Sequence, residues 1–384
     1  MDRRRFLATG GLAATLPALA AALPAGAAPL AAPASRPVNF LSDGLGLGPA
    51  EYAAALAKIT AGTDLDADYY SLGGVIEDIE QAFAQRLGKP AAIWLPTGTL
   101  ANHMAVRALA GEHRRVLVQA DSHLYNDSGD CATQLSGLNL VPLKGQTAAL
   151  PLDAVRADVE HAGDGRVPLK IGAISLESPV RRLGHRFVPW DDVRALCDYA
   201  RGQGIGLHLD GARLFNLPQH TGHDVREYAA LFDTVYVSLW KHFNAASGAI
   251  LAGEATLIEP LRPQRRMFGG GLPHAWPLAA PALQYLGDYE QQYARAWHSA
   301  EQLFFLLKAD GRLTVQRLPE GTSSVALTLP AGVDADAWAR RAGQHGVRVG
   351  APPPGGNTLL QINATLLRKP PQAVAKVLLD ALAG

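Results

Sequence analysis

Cysteine is almost missing from this chain: Cys131 and Cys197 are the only two. Neither lies in a CxxC or in a Cys/His cluster of metal-ligand spacing, which excludes a thiol redox motif and a cysteine metal centre, so no metal is expected. Both read as small buried hydrophobes. Net charge is missing as well. Lys plus Arg equals Asp plus Glu at 35 each, so no global field draws the chain to nucleic acid or to an anionic membrane surface. Small neutral or zwitterionic substrates fit better. The sequence has no internal repeat and no low-complexity segment beyond its first ~35 residues. A membrane span is lacking too, because the uncharged stretch that runs to Arg36 is weakly apolar and rich in alanine.

What is present is a chain of 384 residues, 48% of them apolar, too long for one small domain and able to bury a sizeable core. Residues 1–35 read as an export signal. Arg3, Arg4 and Arg5 precede Phe6 and Leu7, and Ala25-Gly26-Ala27 supplies the small side chains a signal peptidase accepts, with cleavage expected near Ala27. Paired arginines ahead of Phe-Leu resemble the twin-arginine signal, whose pathway carries folded proteins, and predict a periplasmic location with no stable membrane span after cleavage.

After the signal, seven short β-rich runs alternate with amphipathic helical stretches: Ala91–Pro96, Arg115–Ala120, Leu138–Leu143, Lys170–Ser178, Gly204–Asp210, Thr234–Trp240 and Gly248–Gly253. The helical patterns include Val75–Leu87, Leu100–Leu109 and Trp190–Gln203. This alternation predicts an α/β fold with a seven-stranded, mostly parallel sheet covered by helices, spanning residues 36–280 with its N-terminal segment. From roughly Pro281 a long helix, strands near Leu313–Leu318, Ser323–Leu329 and Leu359–Asn363, and two further helices predict a smaller α+β domain over residues 281–384.

Ligands of such sheets bind at the carboxyl ends of the strands, and four strand ends form a coherent set. In Pro96-Thr97-Gly98-Thr99-Leu100-Ala101-Asn102 a strand turns into a helix whose first N–H groups lack internal partners; Thr97 and Thr99 add hydroxyls, Gly98 allows close approach, and together they suit a phosphate. His123, in Asp121-Ser122-His123, could lie flat on an aromatic cofactor ring. Asp210 ends the strand of Leu207-His208-Leu209-Asp210-Gly211-Ala212-Arg213 and can keep a pyridine nitrogen protonated, while Arg213 can fork onto a substrate carboxylate. Lys241, in Ser238-Leu239-Trp240-Lys241-His242, has apolar and aromatic neighbours that would lower its pKa and favour Schiff-base chemistry. Each has an ordinary structural reading by itself, as a helix cap, a loop histidine, a surface arginine or a solvated lysine. Their order along the chain points to pyridoxal phosphate (PLP).

With Ser42-Asp43-Gly44 and Phe268-Gly269-Gly270-Gly271 added, these segments resemble the successive motifs of the threonine aldolase / aromatic amino acid β-eliminating lyase family, a PLP-dependent family of fold type I. The resemblance runs from about Phe40 to the C-terminus and is strongest between Leu95 and Gly271. It implies Lys241 as the Schiff-base lysine, Asp210 as the pyridinium partner and His123 as the stacking residue. Gly98 and Thr99 would bind phosphate, and Ser42, Arg213 and Gln361 the substrate. It also implies a homodimer or homotetramer with sites shared between subunits. Several positions depart from the family's pattern. Trp240 stands where a Ser or Thr usually precedes the lysine, and Leu272-Pro273-His274 where an Arg-Gln pair usually follows the glycines. Gln361 stands where a second carboxylate-binding arginine is expected, and Glu177-Ser178-Pro179-Val180 replaces a more polar loop. The expected reaction is retro-aldol cleavage of a β-hydroxy-α-amino acid such as threonine to glycine and an aldehyde. Alternatives are β-elimination, racemisation or transamination on the same scaffold, or an exported protein that binds PLP or amino acids without turnover.

Overall fold

The computed structural model describes residues 36–383 apart from Thr63, so the expected export signal lies outside the described residues. The described chain starts with a two-residue strand, β1 (Val38–Asn39), followed by the helices Pro49–Gly62 and Gly74–Leu87. Seven strands then build one sheet: β2 (Ala91–Leu95), β3 (Arg115–Gln119), β4 (Asn139–Leu143), β5 (Ile171–Glu177), β6 (Gly206–Asp210), β7 (Thr234–Ser238) and β8 (Ala249–Gly253). Their order is β2-β8-β7-β6-β5-β3-β4, with β8 antiparallel to both neighbours and the other pairings parallel.

The residue types explain the order. β5, β7 and β8 are buried along their whole length, as interior strands covered on both faces must be. β4 is partly exposed and carries Pro142, whose missing N–H is tolerable on an edge strand. The helix Trp190–Gly202 buries Val193, Leu196, Cys197 and Ala200, one stripe at helical spacing. Cys197 is thus a core residue as expected, whereas Cys131, at the start of the short helix Cys131–Ser136, is only half-buried.

Beyond the helices Trp276–Leu286 and Tyr289–Asp310, β9 (Thr314–Arg317), β10 (Ser324–Thr328) and β12 (Thr358–Gln361) form an antiparallel sheet in the order β12-β10-β9. β11 (Val347–Arg348) pairs in parallel with β1. Val38 and Phe40 therefore pack with Trp297, Leu327, Trp338 and Leu378 in a core separate from that of the large sheet. The change of pattern at Pro281 falls inside the helix Trp276–Leu286, whose Ala279 and Ala282 belong to the large core. The described residues from Pro37 onward group as one compact unit. Among the described residues no helix is long and apolar enough to cross a membrane.

One close approach seats the helix Gly98–Ala110 on the sheet. A Cβ on Gly172 in β5 would lie 2.7 Å from the Ala110 carbonyl oxygen and 2.8 Å from its Cα, both backbone atoms with no room to yield. Gly172→Ala is therefore expected to cost about 1–3 kcal/mol of stability by overpacking. Gly163→Ala, which faces open space at the end of the helix Leu152–Gly163, should cost nothing. Denaturant midpoints of the two variants check this, and equal midpoints would contradict it.

Candidate active site

The carboxyl ends of β2, β3, β5, β6 and β7 surround a cleft of about 670 Å³ including its mouth, lined by residues from each of them. At one end of it, Thr97 caps the helix Gly98–Ala110 by accepting the Leu100 N–H at 3.2 Å. The Gly98 and Thr99 N–H groups are left at the positive end of a 13-residue helix. A Cβ on Gly98 would collide with the Tyr236 hydroxyl from β7. The glycine is thus required by the protein's own packing as well as by any ligand.

Asp210, at the end of β6, is held by a buried relay. One carboxylate oxygen accepts from Asn102 Nδ2 at 2.5 Å, and the other accepts the Ala212 N–H at 3.1 Å. The Asn102 carbonyl is 2.9 Å from His208 Nε2, whose Nδ1 is 2.9 Å from Thr234 Oγ1. Because Asn102 spends its amide N–H on a carboxylate, its oxygen must accept, so His208 carries its proton on Nε2. Burial pushes His208 down to about 4, which keeps that imidazole neutral.

Lys241 lies not on a strand but in the one-turn helix Leu239–His242 that begins where β7 ends. Its Nζ is 5.2 Å from the centroid of the Trp240 ring. Burial, aided by the positive charge of Arg213, pushes the Lys241 amine down to about 8 against the opposing pull of Asp210, Asp43 and Glu177.

Arg213 does not stand free. Its Nε and Nη2 donate to the two oxygens of Asp43 at 2.7 and 2.8 Å, both side chains at least nine-tenths buried. Burial opposes the Asp43 charge, yet the guanidinium holds the carboxyl well below the usual range. The Nη1 edge is the part of Arg213 that Asp43 does not engage.

His123 lines the same cleft. Its backbone N–H donates to Glu177 Oε2 at 2.6 Å, and the Arg181 N–H donates to Oε1 at 2.8 Å. Burial, together with the nearby Asp210 carboxylate, raises Glu177 to about 7. Ser128 Oγ donates to the His123 carbonyl at 3.1 Å and lies 3.2 Å from His123 Nδ1. Burial lowers the His123 pKa and favours the neutral imidazole.

Of the residues singled out from sequence, Gly98, Thr99, His123, Asp210, Arg213 and Lys241 line one cleft, and Ser42 and Gln361 do not line it. Those two share a partner instead: Asn363 Nδ2 donates to the Ser42 carbonyl at 2.7 Å and to the Gln361 carbonyl at 3.1 Å. The Ser42 hydroxyl turns back onto the Gly44 carbonyl at 2.9 Å, and Gln361 Oε1 is buried without a partner. Sequence reasoning passed over Asp43, Asn102 and Glu177, although all three stood inside quoted motifs. For Asn102 a signal was available, since it follows Gly98 by one helical turn.

The family model of the beta-eliminating lyases matches residues 39–334. The aldolase vrtJ of Penicillium aethiopicum is 33% identical over 76% of this chain and 75% of its own length. The low-specificity L-threonine aldolase of Candida albicans is 30% identical over 55% of this chain, a match that spans only 56% of that enzyme. Among solved structures, a candidate L-allo-threonine aldolase of Listeria monocytogenes EGD-E has a TM-score of 0.75 at 25% identity, covering 91% of this chain and 96% of that one. The sheet, the helix start and a lysine and an aspartate lining the same cleft, with these relatives, define a PLP-dependent lyase of fold type I. The chain belongs to the beta-eliminating lyase family.

The residues present fit that cofactor: open N–H groups for the phosphate, a fixed carboxylate for the ring nitrogen, and a buried amine of lowered pKa for the aldehyde. Capture of PLP by the purified protein should therefore quicken as pH rises through about 8, where Lys241 loses its proton. Arg213→Gln should move that midpoint upward, because it deletes a neighbouring positive charge and leaves the negative Asp43 unpaired. Stopped-flow absorbance measures both, and a wild-type midpoint at the ordinary lysine value of 10.5 would contradict the account.

Proposed function

We infer that this protein cleaves the Cα–Cβ bond of a β-hydroxy-α-amino acid such as L-threonine, giving glycine and an aldehyde. The observation that carries this reading is the convergence of a low-pKa lysine, a relay-held aspartate and a neutral histidine on one cleft with a helix start. When bound, PLP supplies an electron-poor pyridine ring that takes up the electron pair released as the bond breaks.

The rest falls to the chain's own residues. The Gly98 and Thr99 N–H groups would hold the cofactor phosphate. Asp210, hydrogen-bonded by Asn102, would keep the ring nitrogen protonated. Lys241, its amine lowered in pKa by burial, would hold the cofactor aldehyde. The Nη1 edge of Arg213 takes the substrate carboxylate while Asp43 fixes the plane of the guanidinium. The neutral His123 imidazole receives the β-hydroxyl proton, leaving the aldehyde oxygen behind.

The same reading includes export. The Arg3-Arg4-Arg5-Phe6-Leu7 leader supports delivery to the periplasm by the twin-arginine route, already folded and loaded. A homodimer or homotetramer is the assembly that the family resemblance suggests. Fractionation that finds the chain uncleaved in the cytoplasm, or light scattering at a monomer's mass, would remove the corresponding part.

The reaction is tested with the PLP-loaded protein and L-threonine. Glycine and acetaldehyde in equal amounts support aldol cleavage, whereas 2-oxobutanoate with ammonia would reveal β-elimination and overturn it. Asp210→Asn should lower kcat roughly 100-fold or more with little change in KM, because the charge it stabilises develops only in the transition state.

A further inference from the structure

The buried carboxylate that ends β5 clamps two segments of the chain side by side. Glu177 Oε2 accepts the His123 N–H at 2.6 Å and Oε1 accepts the Arg181 N–H at 2.8 Å, so these two residues start as neighbours. Both line the catalytic cleft, and the Arg181 charge is close enough to act on the His123 imidazole. Further out, Arg181 Nη2 and the Nε and Nη2 of Arg182 donate to the oxygens of Asp127, at 2.6, 3.1 and 2.8 Å. All three side chains are partly exposed, where ion pairs are weak and a ligand can compete for them. Arg182 does not line the cleft, and it is also under the pull of Asp121 and Glu177. Arg181 gives Asp127 a single N–H among the described residues.

Placing the charged groups of PLP and of a threonine-like substrate leaves one cation over. The phosphate goes to the helix start, the α-carboxylate to Arg213 and the cofactor aldehyde to Lys241. Among the described residues that line the cleft, the remaining cation is Arg181, and a neutral side chain gives it nothing to bind. Its place shows which part of a substrate would reach it. His123 receives the β-hydroxyl proton, so Cβ and its substituent come to the His123 side of the cleft, where Arg181 is anchored by the same carboxylate. A carboxylate on Cβ would meet there the N–H groups that Arg181 does not give to Asp127, in the forked geometry that guanidinium favours.

We propose that Arg181 is a specificity residue for an anionic substituent on Cβ, and that the preferred substrate is a β-hydroxy-α-amino dicarboxylic acid of the 3-hydroxyaspartate kind. The proposal rests on the aldolase reading above. In this cleavage the Cα–Cβ bond breaks, the β-hydroxyl proton passes to His123 and the bonding electron pair passes into the cofactor ring. Cα then takes up one proton. 3-Hydroxyaspartate thereby gives glycine and glyoxylate, with no further reactant.

In the test, glycine release by the PLP-loaded protein is measured with L-threonine, 3-hydroxy-L-aspartate and the neutral isostere 3-hydroxy-L-asparagine, for wild type, Arg181→Gln and Arg181→Lys. The quantity read is the ratio of kcat/KM for hydroxyaspartate to that for hydroxyasparagine, in which a general loss of activity cancels. Wild type should give a ratio of about 10 or more, as a hydrogen bond between charged partners implies. Arg181→Gln, which keeps the backbone N–H on Glu177, should bring the ratio to about one. Arg181→Lys keeps the charge without the fork and should fall between the two. A wild-type ratio at or below one overturns the anion subsite, as does a ratio that Arg181→Gln leaves standing or one that is the same in both variants. Threonine cleaved in any of these cases leaves the aldolase reading intact, whereas glycine released from none of the three substrates overturns that reading and this proposal together.

Discussion

Two hydrogen bonds of 2.7 and 2.8 Å join Asp43 to Arg213, 170 positions apart in the chain, with both side chains withdrawn from water. Neither partner could be buried alone, since an isolated charge in such a place costs several kcal/mol. The pair therefore fixes where the N-terminal segment must run. Phe40 enters the core of the small sheet, β1 pairs with β11, and Asp43 grips the loop that follows β6. One ion pair thus connects both sheets at the point where the cleft forms. It also tunes the chemistry: Arg213 helps to lower the Lys241 pKa, while Asp43 prevents that lowering from going further.

Charge in the surrounding interior is kept sparse. His185 and His242 are pushed down to about 3 by burial, so both imidazoles are neutral at physiological pH. His242 stacks on Tyr289 at 4.6 Å, and the hydroxyls of Ser323 and Ser324 both approach His185 Nδ1 at 2.9 Å. With these rings neutral, the positive features of the cleft are the helix start, Arg213, the Lys241 ammonium below about pH 8 and, at the rim, Arg181. An anionic phosphate and an anionic carboxylate have distinct destinations as a result. In a low-dielectric cleft this separation orients the ligand more strongly than shape alone.

Much of this was legible in the sequence because periodicity fixes where strands end. Once the seven apolar runs were read as a parallel sheet, Asp210, His123 and the Thr97-Gly98-Thr99 turn had to emerge on the same rim. Lys241 reached that rim by a slightly different route, since β7 stops at Ser238 and a helical turn delivers the amine. Pairings remote in sequence were not legible. Asp43 with Arg213 and Asn102 with Asp210 follow from tertiary packing, and no local pattern distinguishes Asp43 from its neighbour Ser42. For the same reason Ser42 and Gln361 were expected in the cleft, but Asn363 binds them to one another beside it. Glu177 looked like part of an altered loop, yet it is the last residue of β5 and bonds the backbone of His123.

Covalent capture of PLP at Lys241 is the central claim, and it can be read at single-residue resolution. The purified protein is loaded with PLP, reduced with borohydride, digested and mapped by mass spectrometry. One pyridoxyl group per chain on the peptide that contains Lys241, lost in Lys241→Ala, is the expected result. A label on another lysine, or none, would contradict the assignment of this cleft as the catalytic site.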